Sequence, residues 1–217
     1  VILANPPYSI KAWDRSLFEN DPWGRNLWGT PPQGCADYAF QQHIQKSLDP
    51  KNGRCAILWP HGILFRDQER EMRRQMIKDD LVEAVIALGK NLFYNSSMES
   101  CILVCRTNKP KKRKNKVLFV NAFDDIRHEK TVSFLDEPHI QKMVEAFHTF
   151  EDQEGFARVV PKDEVLKDDA SLLVTKYLKS SRVGNHDDHA LDDALAAWKS
   201  SSEACNQAME KLFAELT

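Results

Sequence analysis

Three short apolar runs, each closed by turn-forming residues, constrain the fold of this chain more than any other feature. They are residues 1–4, stopped by Asn5-Pro6-Pro7; residues 54–60, stopped by His61-Gly62; and residues 81–88, stopped by Gly89. Runs of this kind read as strands buried on both faces, as in a parallel sheet covered by helices. The stretches between them carry helical spacing. Asp37 stands where it can cap a helix whose Phe40, Ile44 and Leu48 recur every four residues, and residues 66–80 set Met72, Met76 and Ile77 on one side. Strand, helix, strand, helix, strand in this order predicts a doubly wound α/β sheet with crossover connections.

Two further apolar runs, residues 98–105 and 117–123, are separated by Lys109-Pro110-Lys111-Lys112-Arg113-Lys114-Asn115-Lys116. That segment is too short and polar to cross over as a helix, so the two runs are expected to pair as an antiparallel hairpin at one edge. Lys111, Lys112, Arg113 and Lys114 then form a basic tip, either a solvated loop or a contact for phosphates. Asp136 can cap a helix with Ile140, Met143, Val144 and Phe147 on one face, whereas the short apolar pieces in residues 156–178 give no arrangement. After a polar break at residues 182–189, Leu191, Leu195, Trp198, Ser202, Cys205, Met209, Leu212 and Leu216 follow at alternating steps of four and three. Such a narrow heptad seam needs a partner, on the same chain or on another subunit.

The 217 residues, 42% of them apolar, are enough to bury a core, and a formal charge of −2 provides no overall basic field for nucleic acid. Five widely spaced cysteines without metal-ligand neighbours read as buried free thiols in a reducing, cytoplasmic compartment. No apolar run approaches the roughly 18 residues of a membrane span, so no membrane partner is expected. The chain opens directly on a strand, and a fragment lacking an upstream half is expected. Residues 9–35, rich in Gly, Pro and Trp, read as a lid facing the substrate or as a packed structural loop.

Ligands of open α/β sheets sit beyond the carboxyl ends of the strands. Asn5, Pro6, Pro7 and Tyr8 occupy that place after the first run. The prolines stiffen the turn and lack N–H groups, leaving carbonyls free as acceptors. With the Asn5 amide oxygen these carbonyls suit a substrate NH₂ group, and Tyr8 adds a flat face for a planar ring. His61, in the turn after the second run, lies at the same end of the sheet and either lines the site or is an ordinary turn residue. His186 and His189 with Asp187 and Asp188 imitate a metal cluster but read better as a solvated linker, so no metal is expected.

Taken in order, Asn5-Pro6-Pro7-Tyr8, residues 36–40 with His43, residues 53–56 through 60–66, Asn91-Leu92-Phe93-Tyr94, Cys101-Ile102-Leu103-Val104, residues 119–122 and residues 156–160 carry a resemblance. The chain resembles the methylation subunit of type I restriction-modification systems, an N6-adenine DNA methyltransferase. Glutamine methyltransferases of proteins resemble only the first tetrapeptide. The resemblance implies part of a Rossmann-like, S-adenosylmethionine-dependent methyltransferase sheet. Residues 1–125 would be the C-terminal half of the catalytic domain, 126–183 a family extension, and 184–217 a helix contacting another subunit. It implies that Asn5 and Pro6 accept hydrogen bonds from the amine of a flipped adenine, that Tyr8 stacks on it, and that Phe93 is a second stacking candidate or else a core aromatic. S-adenosyl-L-methionine is the implied cofactor, held by a glycine-rich loop expected upstream of this chain. Double-stranded DNA, a specificity subunit bound through the terminal helix and a restriction subunit are the implied partners.

Overall fold

A computed structural model describes residues 1–93, 96–178, 195 and 198–202, in two units, Val1–Ser180 and Ser181–Thr217. In the first unit the elements run β1 (Ile2–Ala4), α1 (Arg15–Glu19), α2 (Asp37–Ser47), β2 (Arg54–Pro60), α3 (Arg70–Lys78) and β3 (Val82–Leu88). They continue with β4 (Ser100–Arg106), β5 (Lys116–Ala122), the small β6 (Arg127–Glu129) and β7 (Val132–Phe134), and α4 (Glu137–Thr149). β8 (Ala157–Pro161), α5 (Lys162–Lys167) and α6 (Val174–Tyr177) complete it, giving residues 156–178 the arrangement their sequence left open.

Six of these strands form one sheet in the order β1-β2-β4-β3-β5-β8. The pairs β1–β2 and β3–β5 are parallel; β4 runs antiparallel to both β2 and β3, and β8 antiparallel to β5. The sheet is therefore mixed. The expected edge hairpin of residues 98–105 with 117–123 does not form, because β3 lies between β4 and β5. A strand spacing of about 4.8 Å leaves roughly 10 Å to cross, which a nine-residue loop spans easily. The loop's charges explain its path over the start of β3. Lys109, buried, donates to Asp80 Oδ1 at 2.7 Å and to the Lys116 carbonyl at 2.8 Å. Arg113 pairs with Glu83 Oε1 at 3.2 Å, and Arg106 approaches the same oxygen at 3.6 Å. Burial pushes the Lys109 ammonium below its ordinary range, and Asp80 opposes that shift.

Alternation along β3 shows why its run is apolar almost throughout. Val85 and Ala87 join a core with Tyr38 and Ile44 of α2 and Met76 and Ile77 of α3. Ala84, Ile86 and Leu88 face the other side, against Met143 and Ala146 of α4. Helices thus cover both faces, so both side-chain sets of the period-two strand must be apolar. Asp136 stands at the N-cap of α4 as expected, but the helix buries Met143 and Ala146 and leaves Ile140 and Val144 39% and 41% exposed. In the second unit, Leu195 and residues 198–202 are helical, with Leu195 and Trp198 exposed. The polar break at 182–189 and most of the heptad seam lie outside the described residues.

Arg113 also donates to the Phe147 carbonyl at 2.9 Å and lies over the rings of Phe147 and Phe150, 4.7 Å from each centroid. Lys112 reaches the Thr149 carbonyl and Glu151, so the loop ties the C-terminus of α4 to β3. Arg113→Ala leaves Glu83, 1% exposed, with the more distant Arg106 alone. A loss of about 3 kcal/mol in urea unfolding is expected, against under about 0.5 kcal/mol for Lys111→Ala or Lys114→Ala.

Candidate active site

β1 delivers Asn5-Pro6-Pro7-Tyr8 to the carboxyl end of the parallel strands. Because β4 runs the other way, its start arrives at the same end: Ser100 pairs with Pro60. The two approaches enclose a cavity of about 480 Å³ lined by Asn5, Pro6, Pro7, Tyr8, Phe93 and Met98, with Ser96, Glu99 and Ser100 completing the wall. The structure thereby brings Phe93 into the wall of the tetrapeptide cavity. Tyr8 Oη donates to Asn5 Oδ1 at 2.9 Å. Burial pushes the Tyr8 phenol up to about 12, with Cys101 and Asp37 adding to the shift, so at neutral pH it stays protonated and acts as the donor. The second lone pair of Asn5 Oδ1 is available to a ligand. Among the described residues no hydrogen bond reaches the Pro6 carbonyl.

His61 lies beside this cavity rather than in it. It lines an adjoining cavity of about 370 Å³ with Phe65, Arg66 and Lys90, and the two cavities share Met98 and Glu99. Its Nδ1 is 3.3 Å from Glu99 Oε2, and its ring meets Phe65 and Phe123 edge-on. Burial lowers the imidazole pKa against the opposing pull of Glu99, so His61 is neutral at pH 7 and contributes no cationic charge. Lys90 Nζ, 3.4 Å from Glu99 Oε1, pairs with the other oxygen of that carboxylate.

The basic loop sits at the opposite end of the sheet. Arg106, at the finish of β4, pairs with Arg54 at the beginning of β2, so Lys111, Lys112, Arg113 and Lys114 follow a strand that has run about 20 Å away from the tetrapeptide. The structure does not bring these four residues to the tetrapeptide: Lys112 and Arg113 reach α4, and Lys111 and Lys114 are exposed. Residues 9–35 do not line the tetrapeptide cavity either, and the structure takes the packed-loop alternative. Gln42 fastens the segment to α2, accepting from the Trp28 N–H at 2.6 Å and donating to the Gly29 carbonyl at 2.9 Å. Phe18 is buried there, with the Trp13 ring 6.0 Å away.

Sequence reasoning missed the group that holds the turn. Asp37 is not the N-cap of α2; Ala36 is, and the Asp37 carboxylate points toward the tetrapeptide. Its Oδ1 accepts from the Ser9 N–H at 2.6 Å, and its Oδ2 accepts from Arg66 Nη1 and Nη2 at 3.0 and 2.9 Å. Arg66 Nη1 also reaches both carboxylate oxygens of Glu69, at 3.3 and 3.2 Å, and contacts Cys35. Cys35, Asp37 and Glu69 have the spacing of a cation site, yet the guanidinium already fills it. Glu69 is fully buried, and desolvation pushes its carboxyl up to about 7 against the pull of Arg66.

Residues 1–186 match the N-6 DNA Methylase family. The chain is 33% identical over 186 residues to the type I restriction enzyme MjaVII methylase subunit of Methanocaldococcus jannaschii, covering 81% of this chain and 32% of that protein. It is 32% identical over 186 residues to the HindI methylase subunit of Haemophilus influenzae, covering 82% and 41%. The fold is similar to the crystal structure of the type I restriction-modification methyltransferase subunit from Streptococcus thermophilus, with a TM-score of 0.75, 30% identity, and coverage of 82% of this chain and 37% of that one. The chain thus spans about a third of the length of the relatives it matches.

The Glu69 carboxyl titrates at about 7 in the folded protein and near its ordinary 4.5 once unfolded. With the folded value raised, its stabilising contribution is complete below about 4.5 and is lost as pH rises through about 7. Glu69→Gln, neutral throughout, removes that fall. Relative to the parent, the variant is expected to gain on the order of 3 kcal/mol between pH 4 and 8 in urea unfolding; parallel pH profiles would refute this assignment.

Proposed function

Because the chain belongs to the N-6 DNA methylase family, we propose that it forms one wall of the active site of a type I restriction-modification methylase subunit. The protein would transfer a methyl group to the N6 amine of an adenine in duplex DNA. The observation that carries this reading is the meeting of the Asn5 acceptor, the open Pro6 carbonyl and the Phe93 ring in one cavity beyond the parallel strands.

Adenine's amine is a weak nucleophile because its lone pair is delocalised into the ring. Two hydrogen bonds from that amine, to Asn5 Oδ1 and the Pro6 carbonyl, favour pyramidal nitrogen and return the lone pair to it. Each is worth on the order of 1–3 kcal/mol where water is excluded. Tyr8, protonated and bonded to Asn5, holds the amide plane in place and does not act as a base. The base must leave the duplex to reach this wall, and the aromatic rings of Tyr8 and Phe93 offset part of the unstacking cost.

S-adenosylmethionine supplies the methyl group as an electrophilic sulfonium in this reaction. The glycines of the described residues are scattered singly and build no glycine-rich strand-turn-helix, so the residues present do not fit a complete cofactor site. Double-stranded DNA is the proposed substrate. The terminal seam containing the exposed Leu195 and Trp198 is the proposed contact with a specificity subunit, and a restriction subunit is the further proposed partner. Among the described residues no helix is long and apolar enough to cross a membrane; a cytoplasmic location is proposed from the reduced cysteines.

Asn5→Ala in the full-length protein, assembled with its specificity subunit, is expected to lower methyl transfer to adenine in duplex DNA by about 100–1,000-fold. Incorporation of labelled methyl groups into DNA, polypeptide and RNA measures it. Full turnover by the variant, or label appearing outside DNA, would sink the assignment.

A further inference from the structure

Ser9 follows the tetrapeptide directly and holds φ at 50°, the left-handed region that a non-glycine residue occupies only when its surroundings insist. The restraint comes from Asp37, 28 residues downstream and fully buried, which accepts from the Ser9 N–H at 2.6 Å and lies 3.5 Å from the Ser9 hydroxyl. A buried carboxylate needs a counter-charge, and Arg66 supplies it with two hydrogen bonds to Oδ2. Arg66 in turn is seated between Asp37 and Glu69 and against Gly62. A Cβ at Gly62 would stand 2.7 Å from Arg66 Nε and 3.1 Å from Nη2. The guanidinium is thus packed against Gly62, and the turn carrying Tyr8 is tied to it through the Asp37 carboxylate.

We infer that Asp37 and Arg66 are positioning residues for the reaction: through the Ser9 N–H they fix the turn that aims Asn5 and Tyr8 into the cavity. Neither lines the cavity of the tetrapeptide, so their effect on turnover passes through the turn that they hold. This inference rests on the adenine methylation reading. A carboxylate serving only the stability of α2 would cap the helix, and Asp37 does not. The cluster leaves no room for a metal, since Arg66 Nη1 lies among the ligand atoms of the Cys35, Asp37 and Glu69 group.

The test uses the full-length protein assembled with its specificity subunit and compares Asp37→Ala, Asp37→Asn and Gly62→Ala. Single-turnover methylation, methyl-donor affinity and amide exchange of the peptide carrying Ser9 are the readouts. Asp37→Ala is expected to lose about 100-fold in the single-turnover rate, as for a displacement of about 1 Å at the reacting group, with methyl-donor affinity unchanged and Ser9 protection lost. Asp37→Asn keeps an acceptor for the Ser9 N–H and is expected to recover a large part of that rate. Gly62→Ala displaces the Arg66 side chain without altering its charge and is expected to fall in rate while remaining folded; it decides the matter if Asp37→Ala does not fold. Rates within threefold of the parent in Asp37→Ala or Gly62→Ala, with Ser9 exposed to exchange, would overturn the inference, as would unchanged exchange in Asp37→Ala. Absence of methyl transfer to adenine by the unsubstituted protein would instead overturn the functional reading, and Ser9 exchange in Asp37→Ala would still confirm or refute the anchor.

Discussion

Strand β4 runs against both of its neighbours, and the rest of the molecule is arranged by that reversal. It pairs with β2 along its whole length, from Arg54↔Arg106 to Pro60↔Ser100, and with β3 through six residue pairs. An antiparallel strand begins where its parallel neighbours end. Met98, Glu99 and Ser100 are thereby brought to the carboxyl end of β1 and β2, and the wall opposite Asn5 is built from them. The far end of the same strand takes the basic loop to the start of β3, where Asp80 pairs with Lys109 and Glu83 with Arg113. One strand direction therefore separates the substrate cavity from the most cationic segment of the chain.

Two buried polar clusters mark the two ends of the sheet, and they differ in kind. At the loop end, Glu83 is met by Arg113 and Arg106, and Asp80 by Lys109, each carboxylate having basic partners. At the cavity end, Asp37 and Glu69 share Arg66, while the neighbouring Arg73 spends its hydrogen bonds on the carbonyls of Ala170, Ile63 and Arg66. Two carboxylates on one guanidinium leave Glu69 incompletely compensated, which is why desolvation raises its pKa. An apolar core would be cheaper there. The cluster is retained beside the strained turn at Ser9, where a directional anchor is required and dispersion forces cannot provide one.

The strands and helices were legible wherever burial left a periodic trace. Residues 54–60 and 81–88 became β2 and β3 within one residue, since strands covered on both faces are apolar almost throughout, the ion-paired Glu83 being the polar residue inside β3. Pairing order was not legible. Periodicity says which residues are buried and nothing about which strand lies beside which, and consecutive strands are neighbours often enough to make the hairpin of β4 with β5 the natural expectation. The complementary signal was present in charge: Asp80 and Glu83 open β3, and the basic segment precedes β5. Asp37 was misread for a related reason. A carboxylate at the start of a helix has a sufficient local explanation as a cap, whereas its partners Ser9 and Arg66 are 28 and 29 residues away in sequence. Phe93, singled out by resemblance alone, lies within the connection between β3 and β4 and lines the tetrapeptide cavity. Glu99 went unremarked because its position depends on the direction of β4.

The bond from Tyr8 to Asn5 sets what the tetrapeptide can do. An amide side chain at an exposed turn rotates freely, and its oxygen and nitrogen offer opposite hydrogen-bonding characters to a ligand. A donor fixed on Oδ1 selects one orientation of the amide and leaves that oxygen's second lone pair as an acceptor in the cavity that Pro6 also lines. The phenol can hold that bond only while protonated, and burial against Cys101 and Asp37 keeps it so far above neutral pH. Asp37 therefore acts on the tetrapeptide twice. Its hydrogen bond from Ser9 fixes the backbone that follows Tyr8, and its negative charge helps to retain the Tyr8 proton that orients Asn5.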